Sequence, residues 1–514
     1  MRRAAGALAA AACVAGLVVA GAIGRPGNGG TGAAFADRVT YLDLVIAGSI
    51  GPAAGPGRPE PSPPVPTRRP PVAGPGGRYS YPMLSRPGLP LAPLGLDAGK
   101  LPADQAIAGR LNTMLHDRRL GSRVGLAVMD AATGRLVYGH DPATGFIPAS
   151  TTKILTAAAA LSGLGPDRRL RTSVVQTQPG HIVLVGGGDP TLLSGAEVVD
   201  AASYAAPARL STLAERTARA LVKAGVRTVS LRYDAGRFAG PGRAPSWLGS
   251  YLAPGSAVVA PVSALTVDRG YVGDPARQVR SADPARQAAD VFAGQLRKAG
   301  IALSGPVLPG AAGKGATELA AVESPPISAI VEAMLVVSDN DIAEALARHV
   351  AIAGKRPATF DGAAEAVRAA VGKLGVNVDR VRLLDGSGLS RGDAIPPRVL
   401  AELLTAAAQP KHPELRTVLA GLPVAGFSGT LADRASKVPR FGSSGSGPTM
   451  SAGLVRAKTG TLTGVRSLAG YVRSADGRLL MFALVADRIP SNDGEMAEAA
   501  LDAMAAALTT CCPS

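Results

Sequence analysis

Pro148-Ala149-Ser150-Thr151-Thr152-Lys153, running into Ile154-Leu155-Thr156 and the alanines 157–160, is the stretch on which the reading of this chain turns. A proline on the approach, a serine at the turn and an unbroken set of helix formers mark a helix start. Three residues make nearly one turn, so Ser150 and Lys153 share a face and lie within reach of each other. A serine hydroxyl is a poor nucleophile until something takes its proton. A lysine kept neutral by burial or by a second cation is such a base.

Two further motifs give that pair its weight. Lysine is scarce, with ten against forty-four arginines, and only Lys153 has a serine three residues before it. Of five asparagines only Asn340 has a serine two before it, in Ser338-Asp339-Asn340. Only Lys458 is followed by Thr-Gly, in Lys458-Thr459-Gly460. S-x-x-K, S-D-N and K-T-G in this order are the set shared by class A β-lactamases and penicillin-binding proteins.

The 514 residues suffice for two or more domains with sizeable cores, and 46% hydrophobic with 18% charged residues is a globular composition. A net charge of +16 and a pI near 10.2 favour polyanions. No zinc-finger spacing, RNA-binding aromatic motif or long basic run accompanies them, so nucleic acid is not expected, and an anionic membrane surface or wall polymer suits the charge better. The five histidines are scattered and no C-x-x-C or H-E-x-x-H occurs, so neither metal nor cofactor is expected. Cys13, Cys511 and Cys512 are the only cysteines, and an adjacent pair bridges poorly, so the fold is not expected to rest on disulfides.

Arg2-Arg3 followed by the apolar run Ala4–Ile23 reads as an export signal, and 1–36 is assigned as a signal peptide or a membrane anchor. The extracytoplasmic cell envelope, with the protein anchored or secreted, is the expected location. Residues 51–94 hold fourteen of the forty-two prolines, so 37–100 is expected to be an extended spacer. The folded body begins near Leu101. Periodicity predicts a helix over Asp104–His116, strands over Val124–Met129 and Arg135–Tyr138, and then the Ser150 helix.

The interval from Lys153 to Ser338 is far too long for a connection. It carries its own strands (Ser173–Gln176, Ile182–Val185, Thr228–Tyr233) and helices (Ala208–Ala224, Pro284–Ala299), so 166–324 is expected to be one or more inserted domains. The catalytic domain is then 101–165 with 325–514. Its second part is expected to hold helices on both sides of S-D-N (Ile327–Val350), a strand over Val378–Leu384 and a helix over Pro396–Ala408. K-T-G is expected on a strand over Val455–Thr461, with strands Leu468–Val472 and Leu479–Ala486 and a closing helix Asp493–Leu508. Helix and strand order at both ends suggests an α/β (α+β) architecture, an antiparallel sheet flanked by helices.

The three motifs, the long insertion, Gly187-Gly188-Asp189-Pro190 and Asp385-Gly386-Ser387-Gly388-Leu389-Ser390-Arg391 together resemble the D-alanyl-D-alanine carboxypeptidase/endopeptidase family. These are the class C low-molecular-mass penicillin-binding proteins, of peptidase S13 type. Gly429-Thr430-Leu431 with Arg434 fits the same pattern. The resemblance covers roughly 101–510 and implies the penicillin-binding, serine β-lactamase-like transpeptidase fold. It implies that Ser150 is acylated by the penultimate D-Ala of a peptidoglycan stem peptide ending in D-Ala-D-Ala, and that β-lactams compete there. Lys153 resembles the general base and Ser338 a member of the proton relay, with Asn340 on the substrate amide. Lys458, Thr459, Gly460 and Thr461 resemble the substrate-binding strand, Lys458 and Thr459 holding the substrate carboxylate. The N–H groups of Ser150 and Thr461 resemble an oxyanion hole. Two lysines in one cleft are expected to lower each other's pKa.

Three other readings are weaker. A class A β-lactamase activates water with a glutamate in E-x-x-L-N, which this chain lacks, and the insertion is out of keeping. Gly388-Leu389-Ser390-Arg391-Gly392 matches the G-x-S-x-G of α/β-hydrolases, but that elbow must feed a helix at once, and here Gly392 and two nearby prolines follow. A non-catalytic wall-binding protein would have no need to keep all three motifs whole.

Overall fold

The computed structural model describes residues 104–195, 206–434, 452–490 and 492–511. The expected signal segment and spacer (1–36 and 37–100) lie outside the described residues.

In chain order, α1 (Asp104–Leu115) leads to β1 (Val124–Asp130), β2 (Leu136–His140) and, after a 3-10 turn over Ala149–Thr151, to α2 (Thr152–Leu164). A second set follows: β3 (Arg169–Gln178), β4 (His181–Val185), α3 (Leu210–Lys223), β5 (Thr228–Asp234), α4 (Pro284–Lys298), β6 (Ala302–Leu303), β7 (Leu308–Pro309) and β8 (Thr317–Pro326). Then come α5 (Ile327–Val337), α6 (Asn340–Ala353), α7 (Phe360–Lys373), α8 (Pro397–Ala408) and α9 (Arg416–Ala420). The chain ends in β9 (Val455–Leu462), β10 (Val465–Arg473), β11 (Leu479–Ala486) and α10 (Gly494–Thr509).

The two ends of this series share one antiparallel sheet, ordered β2-β1-β11-β10-β9, with β9 at an edge. Helices cover both faces, which explains why β11 (Leu-Leu-Met-Phe-Ala-Leu-Val-Ala) is apolar throughout instead of alternating with polar residues. Side chains of alternate residues leave opposite faces. Leu126, Val128, Leu480, Phe482 and Leu484 pack in one cluster with α1 and α10. Ala127, Met129, Met481 and Ala483 pack in the other with α2 and α5 to α8. The α2 residues Thr152–Leu161 are all buried, the signature of a helix at the centre of a layer and not on its surface. Its run of alanines lets α6 and α7 approach it closely.

The second set forms its own mixed sheet, β6-β5-β4-β3-β8, with β7 also pairing with β5. The amphipathic helices α3 and α4 bury Leu213, Leu221, Phe292 and Leu296 in a separate core over it. From this segment a long excursion returns to the first sheet. Trp247 packs edge-on to Phe360, ring centroids 5.2 Å apart, in a cluster with Ala149, Leu389 and Val465.

Two expectations are corrected. Val378–Leu384 is not a strand: only Arg382 makes a β-bridge there, to Ala394. Its amides go to turns, Val381 N donating to Val378 O and Leu384 N to Asp393 Oδ1 at 2.7 Å. Cys511, expected to be unbridged, is buried below α10 and disulfide-bonded, and both other cysteines lie outside the described residues. Among the described residues no helix is long and apolar enough to cross a membrane.

Candidate active site

Ser150 sits in the 3-10 turn that feeds α2, and the turn starts under strain. Ala149 has a φ of +48°, in the left-handed region that a residue with a Cβ avoids. Neighbours wedge it there. Ser467 Oγ on β10 donates to Pro148 O at 2.6 Å. A Cβ at Gly388 would lie 1.9 Å from Ala149 O, and one at Gly460 would lie 2.1 Å from Ser467 Oγ and 3.1 Å from Ser150 N. Both positions demand glycine because backbone passes against backbone. The Ser150 turn is thus gripped between β9, β10 and the 385–391 turn.

One helical turn on, Lys153 is fully buried and its ammonium nitrogen has three neighbours. Nζ lies 3.0 Å from Ser150 Oγ, 2.7 Å from Asn340 Oδ1 and 2.8 Å from Ser387 O. Burial lowers its pKa to about 8, although the charges of Asp385, Glu344, Asp339 and Asp341 pull it upward. Burial, and not the expected mutual repulsion of two lysines, therefore lowers Lys153, while that repulsion acts on Lys458.

Ser338 links α5 to α6 at a φ of +61°, and Asp339 caps α6 by accepting from Ile342 N at 2.9 Å. This break aims Ser338 and Asn340 into one space. Lys458 Nζ, also fully buried, donates to Ser338 Oγ and to Thr459 O, each at 2.8 Å. Burial first, then the charge of Lys153, hold Lys458 well below its usual pKa. Thr459 Oγ1 donates to Thr430 Oγ1 at 2.8 Å, bringing Gly429-Thr430-Leu431 to the site. Thr461 is exposed at the end of β9. Ser150, Lys153 and Asn340 therefore form one hydrogen-bonded set, and Ser338, Lys458 and Thr459 another. Gly460 backs the Ser150 turn.

Beneath Lys153 lies a group that sequence reading missed. Glu344, buried on α6, accepts from Ser387 N at 2.8 Å and Gly386 N at 3.1 Å. Burial, and then the nearby charge of Asp385, push Glu344 up to about 8. Asp385 accepts from Gly388 N at 2.7 Å, Ser390 N at 2.8 Å and Trp247 Nε1 at 2.7 Å. The two carboxylates shape the 385–391 turn so that Ser387 O faces Lys153. A signal was available. Glu344 stands four residues after Asn340 and four before the buried Arg348, one helical turn below the motif. Arg391 and Ser390 belong to the same turn: Arg391 NH1 donates to Thr463 O at 2.8 Å, and the Ser390 and Ser246 hydroxyls lie 2.5 Å apart.

A hydroxyl on a neutral amine, a second hydroxyl on a second lysine and an exposed strand edge can together run an acyl transfer without a cofactor. The comparisons agree in kind. Residues 107–278 and 274–508 match the model of the D-Ala-D-Ala carboxypeptidase 3 (S13) family. A carboxypeptidase of Mycobacterium tuberculosis is 36% identical over 376 residues, 72% of this chain and 77% of that one. Carboxypeptidase DacB of Mycolicibacterium smegmatis is 35% identical over 392 residues, 76% of this chain and 80% of that one. The crystal structure of penicillin binding protein 4 (dacB) from Haemophilus influenzae covers 77% of this chain and 98% of its own at a TM-score of 0.62 and 23% identity, which speaks to the fold.

Proposed function

This chain belongs to the D-Ala-D-Ala carboxypeptidase 3 (S13) family, and we propose that it is a serine D-Ala-D-Ala carboxypeptidase, sensitive to penicillin, that trims peptidoglycan stem peptides through an acyl-enzyme on Ser150. The observation that carries this is the placement of Lys153 Nζ, 3.0 Å from Ser150 Oγ, with Asn340 Oδ1 and Ser387 O on its other sides.

A neutral amine has two N–H donors and one lone pair. With the donors on Asn340 and Ser387, the lone pair is left for the Ser150 proton. Ser150 Oγ attacks the carbonyl carbon of the penultimate D-Ala as its proton passes to Lys153. The oxyanion develops toward the N–H groups of Ser150 and Thr461. The C–N bond breaks as the leaving D-Ala nitrogen takes a proton through Ser338 from Lys458, and the proton that Lys153 took from Ser150 passes on to restore Lys458. Water then frees the acyl group. A pKa near 8 leaves roughly one Lys153 in ten neutral at pH 7.

Export to the cell envelope is part of the same proposal. Its support is the Arg2-Arg3 start, the apolar run to Ile23 and a substrate that lies outside the cytoplasm. The charge of +16 suits an anionic membrane surface or wall polymer. The test is to label with a fluorescent penicillin, locate the adduct by peptide mass spectrometry, and assay D-Ala release from a stem pentapeptide. An adduct on Ser150 with D-Ala release supports the reading. Rapid turnover of the penicillin without a lasting adduct would make the chain a β-lactamase. No adduct and no release would leave only a wall-binding protein.

A further inference from the structure

Three consecutive residues of the S-D-N turn are held by the inserted segment. Asp339 Oδ2 accepts from Arg269 NH1 at 2.7 Å. Asn340 Nδ2 donates to Val258 O at 2.9 Å. Asp341 Oδ1 accepts from Ala260 N at 2.8 Å, and its Oδ2 lies 3.1 Å from Arg280 NH1. The two arginines are themselves joined. Arg280 donates to the carbonyl of Arg269, and its guanidinium stands 3.5 Å over the ring of Tyr271. The Arg280–Asp341 pair is nearly buried, with side-chain exposures of 6% and 10%.

The turn needs such support. Ser338 is a residue with a Cβ at a φ of +61°, and a backbone of that kind persists only where its surroundings over-determine it. Asn340 is the more exacting member. Its Nδ2 is tied to Val258 O while its Oδ1, 2.7 Å from Lys153 Nζ, fixes one of the amine's directions. A shift of the strap would turn the amide and let the lone pair of Lys153 swing off Ser150.

We propose that residues 258–280 of the insertion act as a strap that holds Asn340 against Lys153, with Arg269 and Arg280 as positioning residues for acylation. The insertion is then a working part of the catalytic centre and not an appendage beside it. This rests on the reading of Lys153 as the base.

The test uses the full chain and follows acylation by a fluorescent penicillin well below the melting temperature of every variant. Arg269→Ala and Arg280→Ala are each made alone and in an Asn340→Ala background, with Arg280→Lys as the conservative control. Each single substitution is expected to slow acylation by about 10- to 100-fold, the scale of a small misplacement imposed from outside the reacting atoms. Arg280→Lys is expected to recover part of the loss. In the Asn340→Ala background the further loss is expected to shrink to about twofold, because the strap acts through a residue already removed. Acylation at the parent rate in both arginine variants, or the same loss with and without Asn340, overturns the proposal. If Arg280→Ala does not fold, the Arg269→Ala pair decides alone, since the Arg269 side chain is 42% exposed and its removal leaves the core intact. A parent protein that takes no label at Ser150 sinks the proposed function and this inference with it, whereas a labelled parent with unaffected arginine variants sinks this inference alone.

Discussion

Ser387 O lies 2.8 Å from Lys153 Nζ across 234 residues of chain. That contact, with Asn340 Oδ1 at 2.7 Å, orients the amine before any substrate arrives. The orientation leads to four expectations.

Ser150→Ala should abolish penicillin labelling and D-Ala release without changing the melting temperature by more than a few degrees. Lys153→Ala should lower acylation by about 100- to 10,000-fold, the usual contribution of a general base. Label retained in Ser150→Ala would move the nucleophile elsewhere. Acylation within tenfold of the parent in Lys153→Ala would count against proton abstraction by that residue.

The pH profile follows from the Lys153 pKa of about 8. The base works only when neutral, so kcat/KM should rise with pH and level off above about 8, its acid limb marking the loss of the Lys153 proton. An acid limb centred near 6 with no change near 8 would assign the base to another group. The Glu344 carboxyl, also pushed up to about 8, changes charge in the same range, so the limb reports the pair.

Gly388→Ala should be severe, because the new Cβ would stand 1.9 Å from Ala149 O at a φ of +83°. Gly375→Ala is the control: its φ is +87°, but nothing lies within 4 Å of the added carbon. The control should cost about 1–2 kcal/mol for left-handed backbone alone, read by thermal melting. It should acylate normally. Gly388→Ala should cost more and lose most acylation, since the clash lands on the residue before the nucleophile. Equal behaviour of the two would show that the 385–391 turn yields freely.

Lys458→Gln separates two roles. The family pattern assigns Lys458 to the substrate carboxylate, yet in the structure it is fully buried, depressed in pKa and bonded to Ser338 Oγ. On that geometry the substitution should slow a D-Ala-D-Ala peptide and its C-terminally amidated analogue by similar factors. Each should lose about 10- to 100-fold, from the roughly 1.5–3 kcal/mol of a hydrogen bond made by a charged group. A loss confined to the free carboxylate would restore the recognition role.

What the sequence disclosed and what it hid follow from the range of the interactions. S-x-x-K, S-D-N and K-T-G each hold their residues within one helical turn or one strand, so spacing alone announces them. Strands of the antiparallel sheet were equally plain, because β10 and β11 are apolar runs bounded by a Ser-Ala-Asp-Gly turn. Val378–Leu384 misled for the opposite reason. Its residues suit a strand, but Asp393, nine positions beyond Leu384, captures an amide that a ladder would need. Glu344 was passed over because its partners, Gly386 N and Ser387 N, lie some forty residues away, and the role of Asp385 because Trp247 Nε1 lies 138 residues away. The strap from Val258, Arg269 and Arg280 was beyond reach for the same cause. The depressed lysine was foreseen with burial or a second cation as its cause, and at Lys153 burial leads.

The pairing of β1 with β11 has a further consequence. Val124 lies opposite Ala486, so the first strand of the sheet waits for the last one to be synthesised. Closing a loop of that length is costly in chain entropy, and contacts so distant in sequence form slowly. Ser150 and Lys153 are neighbours as soon as α2 forms, but β9, which walls the Ser150 turn, comes from the final part of the chain. The surroundings of Ser150 are therefore complete only at the end of folding, and a nascent or truncated chain lacking residues 455–486 is expected to hold the Ser150–Lys153 pair without acylating.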